Sequence, residues 1–443
     1  MNFPTIGLQV PRVLLPEKGT DMQNWAVIAC DQYTSDRDYW QRLADRVGDK
    51  PSTLQLIFPE VYLKDADAAQ RIERINAAME RYLADGTLVE QTDGFVLVDR
   101  STAVFPSRKG LIVALDLECY DYNRGATSLI RATEGTILDR LPPRIRVRRN
   151  ASLELPHIMV LIDDPQRTVI EPLFGAELES LYDFDLMEGG GHIRGYRVSD
   201  PALIQQVVNA LEKLADPAAY ASAYPGHEGV MLYAMGDGNH SFATAKAIWQ
   251  DLKANASDPV AILDHPARYA LVELINVHDP GLEFEAIHRV LFDVDVDYLR
   301  QAMVDFFARQ GTPCTIHRCG SEQEALDTMA VAGLGHRFAC VLAGTFCCVE
   351  VAEPAMTLEV ATLQAFLDHY LEESPWVGID YIHGNDSVTR LGSHGKRAGF
   401  YLPSISKHDL FKTIVLDGAL PRKTFSMGEA DEKRFYLECR AIR

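Results

Sequence analysis

The chain has 443 residues, enough for two or three domains, and 47% of them are hydrophobic, the share of a globular protein with a real core. A formal charge of −20 argues against broad binding to nucleic acid or to an anionic membrane, and no apolar run reaches the roughly 18 residues of a membrane span. The eight cysteines are scattered, with no Cys-x-x-Cys pair, and the first dozen residues hold two prolines and no long apolar stretch, so a cytoplasmic protein with reduced thiols is expected.

In chain order, residues 25–29 read as a strand and 35–47 as a helix opened by Ser35 and Asp36. Residues 66–84 read as a stronger helix, with Ile72, Ile75, Met79 and Tyr82 at helical spacing and Gly86 behind them. Strands follow over 94–99 and 110–117. Residues 128–150 carry Arg131, Arg140, Arg144, Arg146, Arg148 and Arg149 against only Glu134 and Asp139. That patch is either an anion site built from arginine forks or a solvated face. A buried strand is expected over 157–163, a turn at 189–192 and a helix over 201–215. A strand over 230–234, a polar loop over 235–241 and a helix over 242–255 come next, then a strand over 270–277.

Beyond about residue 287, helices over 297–310 and 321–330, a short strand over 315–317 and a hairpin across 343–345 suggest a small α/β domain. A helix over 357–373 then opens a final part. The expected organisation is a main α/β domain over 1–285, a small α/β domain over 286–356, and a C-terminal segment over 357–443 that returns to the main domain. The fold class is α/β in the mixed, α+β sense.

The chemistry concentrates in Met235-Gly236-Asp237-Gly238-Asn239-His240-Ser241. A strand, a Gly-rich turn and a helix start make an anion-binding arrangement, because free N–H groups and a partial positive charge gather at the helix N-terminus. Gly-Asp-Gly-Asn is also good turn sequence. The glycine spacing is not that of a dinucleotide fingerprint, and no Gly-Lys-Ser/Thr closes a P-loop. Asp237, Asn239 and His240 suit a magnesium ion held partly through water and substrate phosphates. Glu134, in Arg131-Ala-Thr-Glu-Gly-Thr136, is either a general base or metal ligand, or a structural ion-pair partner. Asp31 and Tyr33 suit polar ligand contacts. Cys30 reads as a buried small hydrophobe before a reactive thiol, and His157 and His288 as satisfied core histidines. Arg422 and Lys423, with Thr424, suit an anionic ligand or an ordinary surface.

These residues together resemble the domain of unknown function 1015 family of bacterial and archaeal proteins. Four segments carry the resemblance: residues 29–34, 129–136, 236–246 and 421–425. The family's loop motif is similar to the phosphate loop of the ParB/sulfiredoxin-like superfamily, which includes CTP-binding partition proteins, sulfiredoxin and free-serine kinases. The resemblance implies a ParB/sulfiredoxin-like core elaborated with a further small domain. It also implies a nucleotide- or phosphate-binding enzyme that uses ATP or ADP with Mg2+ and transfers a phosphoryl group to a small hydroxyl metabolite such as free serine. Ser241 stands where many relatives have arginine, so Arg131 or Arg422 is expected to supply the missing cation.

On this reading Glu134, Asp237 and His240 are catalytic, with Asp237 the metal ligand. Gly236, Gly238, Asn239, Ser241, Arg131 and Thr136 hold the nucleotide phosphates. Asp31, Tyr33, Arg422 and Lys423 hold the substrate. The expected partner is a small molecule, with no nucleic acid or membrane. The alternatives are a non-catalytic nucleotide sensor and a phosphatase of a phosphorylated metabolite.

Overall fold

The computed structural model describes the whole chain except residues 124, 136–140, 332 and 334. It divides into two units, one made of Met1–Glu283 with Met427–Arg443 and the other of Phe284–Ser426. Both mix helices and sheets, as the class expected from sequence requires.

In the first unit, α1 (Arg37–Val47) starts where the Asp36 carboxylate accepts from the Tyr39 amide at 2.9 Å, and it buries Tyr39, Trp40, Leu43 and Val47. α2 (Ala68–Ala84) buries Ile75, Ala78, Met79 and Tyr82, a stripe at helical spacing. The sheet is then built from β1 (Phe95–Ser101), β2 (Arg108–Asp116), β3 (Tyr120–Asp121) and β4 (Ile130–Arg131). After helix α3 (Leu141–Arg148) come β5 (Met159–Ile162), β6 (Glu179–Asp185), β7 (His192–Val198), β8 (Tyr233–Asp237), helix α4 (Asn239–Ala254) and β9 (Tyr269–Asn276). The order across the sheet is β6-β7-β1-β2-β9-β5-β8-β4-β3. Pairing is antiparallel except that β5 runs parallel to β9, and β3 and β8 run parallel to β4.

Alternation along these strands makes two cores. Val96, Val98, Ile112 and Ala114 enter one cluster, which also takes in α1 and α2. Phe95, Leu97, Leu111, Val113 and Leu115 enter the other, with Phe242, Ala245 and Trp249 of α4. A sheet buried on both faces explains why these strands read as continuous apolar runs.

In the second unit a sheet runs Cys314–Arg318, Thr345–Val351, His336–Leu342, Arg397–Tyr401, Phe284–Phe292, Gly378–His383. Its hairpin closes at the Leu342–Thr345 pair through Ala343 (φ 48°) and Gly344 (φ 87°). Two successive positive φ values are what a two-residue turn needs to follow the strand twist.

Two expectations change. Residues 25–29 are not one strand: Met22–Trp25 is a short helix, capped by Asp21, and only Val27–Ile28 is extended. The boundary expected at 356/357 falls inside the second unit, because Gly378–His383 and Arg397–Tyr401 both pair with Phe284–Phe292. The chain re-enters the first unit at Met427.

Candidate functional site

The glycine motif is tighter than its composition suggested. β8 continues through Asp237, held antiparallel to β5 with Met159 opposite Asp237, and α4 begins at Asn239. The expected seven-residue loop is therefore one residue, Gly238, at φ 81°. A Cβ there would lie 3.0 Å from Ile158 Cγ1, so both conformation and space demand glycine. Gly238 places no capping side chain on α4. The buried Asn239 Oδ1, at the first helical position, finds no hydrogen-bond partner among the described residues. The start of α4 therefore has N–H groups without a side-chain cap and, beside them, an acceptor without a partner among the described residues.

Charge is arranged around this turn. The Asp237 carboxylate accepts from its neighbour's amide, Gly238 N, at 2.8 Å and meets Lys433 Nζ at 3.2 Å. Burial opposes its negative charge, but Lys433, then His157, and the hydrogen bonds from Lys433 and Gly238 hold its carboxyl below the usual range. Lys433 arrives from the C-terminal segment, where Phe435 pairs with Ile28 and Tyr436 with Val27. That two-strand contact also fixes Cys30 and Asp31 beside Tyr436.

His157 joins these pieces. Its Nε2 lies 2.9 Å from Ser241 Oγ, on the first turn of α4, and 3.8 Å from Asp31 Oδ2. Its Nδ1 lies 2.7 Å from the Tyr436 hydroxyl, which donates to Cys30 Sγ at 3.0 Å. A continuous chain of hydrogen bonds thus runs Cys30–Tyr436–His157–Ser241, ending on the glycine turn. Burial pushes the thiol of Cys30 and the hydroxyl of Tyr436 well up, so both stay protonated.

Beneath the chain lies a cavity of about 140 Å³, lined by Cys30, His157, Ser241, Thr244 and Tyr436 on its polar side. Glu60 and Arg144 complete that side as a close ion pair. Burial raises the Glu60 carboxyl even against Arg144.

Three of the four motif segments meet here. Residues 29–34 supply Cys30 and Asp31, and 236–241 supply the turn. From the segment that begins at 129, Ile130 and Arg131 run parallel to β8 opposite Tyr233 and Ala234, and Thr133 Oγ1 donates to the Met235 carbonyl at 2.7 Å. That register carries the half-exposed Glu134 alongside the motif. The fourth segment, with Arg422 and Lys423, belongs to the second unit. There Arg422 Nε donates to the Tyr381 hydroxyl at 2.6 Å, and the Arg422 and Lys423 carbonyls accept from Arg289.

The remaining expected residues fall as follows. Arg131 is buried and donates to the carbonyls of Ser128 at 2.9 Å and Gly229 at 2.6 Å. Tyr33 is stacked on Tyr39, ring centroids 3.9 Å apart. Gly236 lies within β8, and the carbonyl of His240 accepts from Thr244 Oγ1 at 2.7 Å. Thr136 lies outside the described residues. Around Asp237 no group of three or more His, Cys, Asp or Glu side chains gathers among the described residues. None of these helices is long and apolar enough to cross a membrane.

By sequence His157 reads as a core histidine, and it is buried and satisfied, yet it is the hub of the cluster. His288, in the second unit, fits the simpler description: its Nδ1 accepts from Leu402 N at 3.1 Å, and burial, then Arg289 and His383, lower it to about 4. Glu60, Lys433 and Tyr436 carried no local signal, since each is placed by a partner far away in sequence.

Residues 14–370 match the family described as Protein of unknown function (DUF1015). The chain belongs to that family. No curated protein matches this DUF1015 chain. Among solved structures it is similar to a conserved hypothetical protein from Pyrococcus furiosus, at 11% identity and TM-score 0.35, covering 74% of this chain and 90% of that one. It is also similar to a free serine kinase in complex with AMP, at 11% identity and TM-score 0.37, covering 75% and 91%. A third is SbnI from Staphylococcus aureus, with a C-terminal truncation, at 10% identity and TM-score 0.35, covering 72% and 82%.

Proposed function

We propose that this DUF1015 chain is a phosphotransferase that moves a phosphoryl group from ATP or ADP to the hydroxyl of a small metabolite such as free serine. The observation that carries the reading is the convergence of Lys433, the uncapped start of α4 and the orphaned Asn239 Oδ1 on one glycine turn. Phosphates are held by backbone N–H groups and cations at helix starts, and Asn239 Oδ1 is an acceptor for a nucleotide's amino or hydroxyl group.

In the reaction the substrate oxygen attacks the terminal phosphorus. The bond from that phosphorus to its bridging oxygen breaks, and the nucleotide leaves one phosphate shorter with the bonding electrons. The hydroxyl proton passes to Asp31, which stands beside His157 and is partly open to solvent. Lys433 and the helix start neutralise charge on the transferring group, the main task in this chemistry. Asp237 positions Lys433, and because Lys433 and His157 hold its carboxyl low it is a poor proton acceptor. Glu134, beside the turn, is a further proton acceptor or phosphate-side contact.

Magnesium supplies further charge neutralisation when it accompanies a nucleotide. The protein residues present do not form a magnesium site unaided, because Lys433 already faces the Asp237 carboxylate.

The test is to incubate the purified chain with magnesium, ATP or ADP, and L-serine, and to measure phosphoserine and nucleotide binding. Phosphoserine formation is expected. Binding without turnover assigns the chain to the sensors. Release of phosphate from phosphoserine without nucleotide assigns it to the phosphatases. Neither binding nor turnover ends the proposal.

A further inference from the structure

Two aliphatic hydroxyls line the cavity beside the glycine turn, and their settings differ. Thr244 Oγ1 donates to the His240 carbonyl at 2.7 Å, within its own helix. Ser241 Oγ instead faces a base, His157 Nε2, at 2.9 Å. The wiring behind the ring decides which way that bond points. Tyr436 has one hydroxyl proton and gives it to Cys30 Sγ at 3.0 Å, so its oxygen accepts from His157 Nδ1 at 2.7 Å. A neutral imidazole that donates through Nδ1 accepts through Nε2. Ser241 therefore donates to His157, and Tyr436 holds the ring that receives its proton. A hydroxyl, a base within hydrogen-bond reach and a third group that orients the base are the parts of an activated nucleophile.

Ser241 also stands where the charge gained on phosphorylation is favoured. It is the third residue of α4 and partly exposed, and no side chain caps the helix start. A phosphate there meets free N–H groups and the positive end of the helix. The cavity that Ser241 lines, about 140 Å³, approaches the roughly 150 Å³ that admits a benzene-sized guest, which is larger than a phosphoryl group.

We propose that Ser241 is a nucleophile that takes the phosphoryl group from the nucleotide before the metabolite does, with His157 as its base. This rests on the phosphotransferase reading for the donor and adds an enzyme-bound intermediate to it. Ser241 Oγ attacks the terminal phosphorus, the bond from that phosphorus to its bridging oxygen breaks, and the nucleotide leaves with the electron pair. The Ser241 proton passes to His157 Nε2. The metabolite's hydroxyl then attacks the phosphorus on Ser241 and the bond from phosphorus to Oγ breaks. His157 returns its proton to Oγ, and the metabolite's proton passes to Asp31.

The experiment incubates the full chain with magnesium and ATP or ADP in the absence of an acceptor, reads the modified peptide by mass spectrometry, and then adds L-serine. One phosphoryl group on Ser241 is expected, lost as free phosphoserine appears. Ser241→Ala is expected to lose the label and to keep saturable ADP binding by calorimetry, which shows that the variant is folded. His157→Gln is expected to slow labelling about 10²- to 10⁴-fold, the worth of a general base. Free phosphoserine made by Ser241→Ala at the wild-type rate, or a label that survives in that variant, overturns the inference and leaves the phosphotransferase reading standing. Labelling of His157→Gln at the wild-type rate overturns it as well. A label on Ser241 that L-serine does not remove, with no free phosphoserine, supports the inference and overturns the reading of transfer to free serine. Neither label nor free phosphoserine overturns both.

Discussion

Lys433 and Arg434 are neighbours in one segment and both are buried, but the partners of their charges differ. Arg434 is sealed: its guanidinium forms close ion pairs with Glu273 and Glu438, and none of the three side chains is more than 2% exposed. Lys433 meets the Asp237 carboxylate, whose side chain is 25% exposed and stands at the glycine turn. Along an extended backbone consecutive side chains point to opposite faces, so one residue feeds the closed network and the next feeds the open site. A charge whose partners are all internal holds the fold together, whereas a charge whose partner sits at an open helix start has room for a ligand.

The sharpest way to break this contrast is to remove each cation in turn. Arg434→Met strands two buried carboxylates and is expected to cost about 3–5 kcal/mol, read as a shift in the denaturant midpoint. Lys433→Met is expected to leave the fold standing and to weaken nucleotide binding about 10- to 100-fold, the worth of one hydrogen bond to a charged group at about 1.5–3 kcal/mol. If both variants unfold equally, or both bind nucleotide as the wild type does, the distinction between the two regions fails.

The pH response of the same variant sharpens the comparison. The carboxyl of Asp237 sits below its unfolded value of 3.8. Between the folded and unfolded values the unfolded chain binds more protons, so the stability Asp237 contributes is present above that window and is lost as pH falls through it. Lys433→Met removes the cation that lowers the carboxyl, so the folded value rises toward 3.8 and the acid-side loss owed to Asp237 is expected to shrink in an unfolding series.

Gly238→Ala comes next in size. A left-handed residue with a Cβ costs about 1–2 kcal/mol, and the contact with Ile158 adds to it. Reduced stability together with weakened nucleotide binding is expected, because the residue that strains is the one that turns β8 into α4.

The smallest effect belongs to His192, clamped on an exposed hairpin between Asp185 and Asp183, each at 2.6 Å. Its hydrogen bond to Asp185 outweighs burial, and with Asp183 it raises the imidazole above 6.5. Its contribution is therefore full below 6.5 and is lost as pH rises through the folded value. His192→Asn is expected to cost less than about 1 kcal/mol at pH 6, discounted for solvent screening, and nothing at pH 9, measured by denaturant unfolding.

Much of this fold is legible in the residues themselves. The apolar stripe of α2, the Asp36 cap of α1 and the continuous apolar runs of β1 and β2 each carry a local signal that packing then honours. The glycine motif announced a turn, but its length was hidden. Met235, Gly236 and Asp237 look like loop residues and become strand because β5 runs alongside them, with Val160 opposite Met235 and Met159 opposite Asp237. The site was legible as a set of segments and not as a set of partners. Asp31 and Ser241 stood in motifs, whereas His157 lay in an apolar run where a core histidine is the ordinary outcome, and Tyr436 and Lys433 were placed by a short strand pairing across some 400 residues of sequence. The second unit's boundary was missed for the same reason, since its last strands pair with its first.

Calorimetric titration of the full chain with ADP, for the wild type and for Lys433→Met, tests the central claim most directly. Saturable binding to the wild type is expected, weakened about 10- to 100-fold in the variant while its thermal unfolding stays close to that of the wild type. Absence of binding, or an affinity that Lys433→Met leaves unchanged, contradicts the assignment of the glycine turn as the anion site.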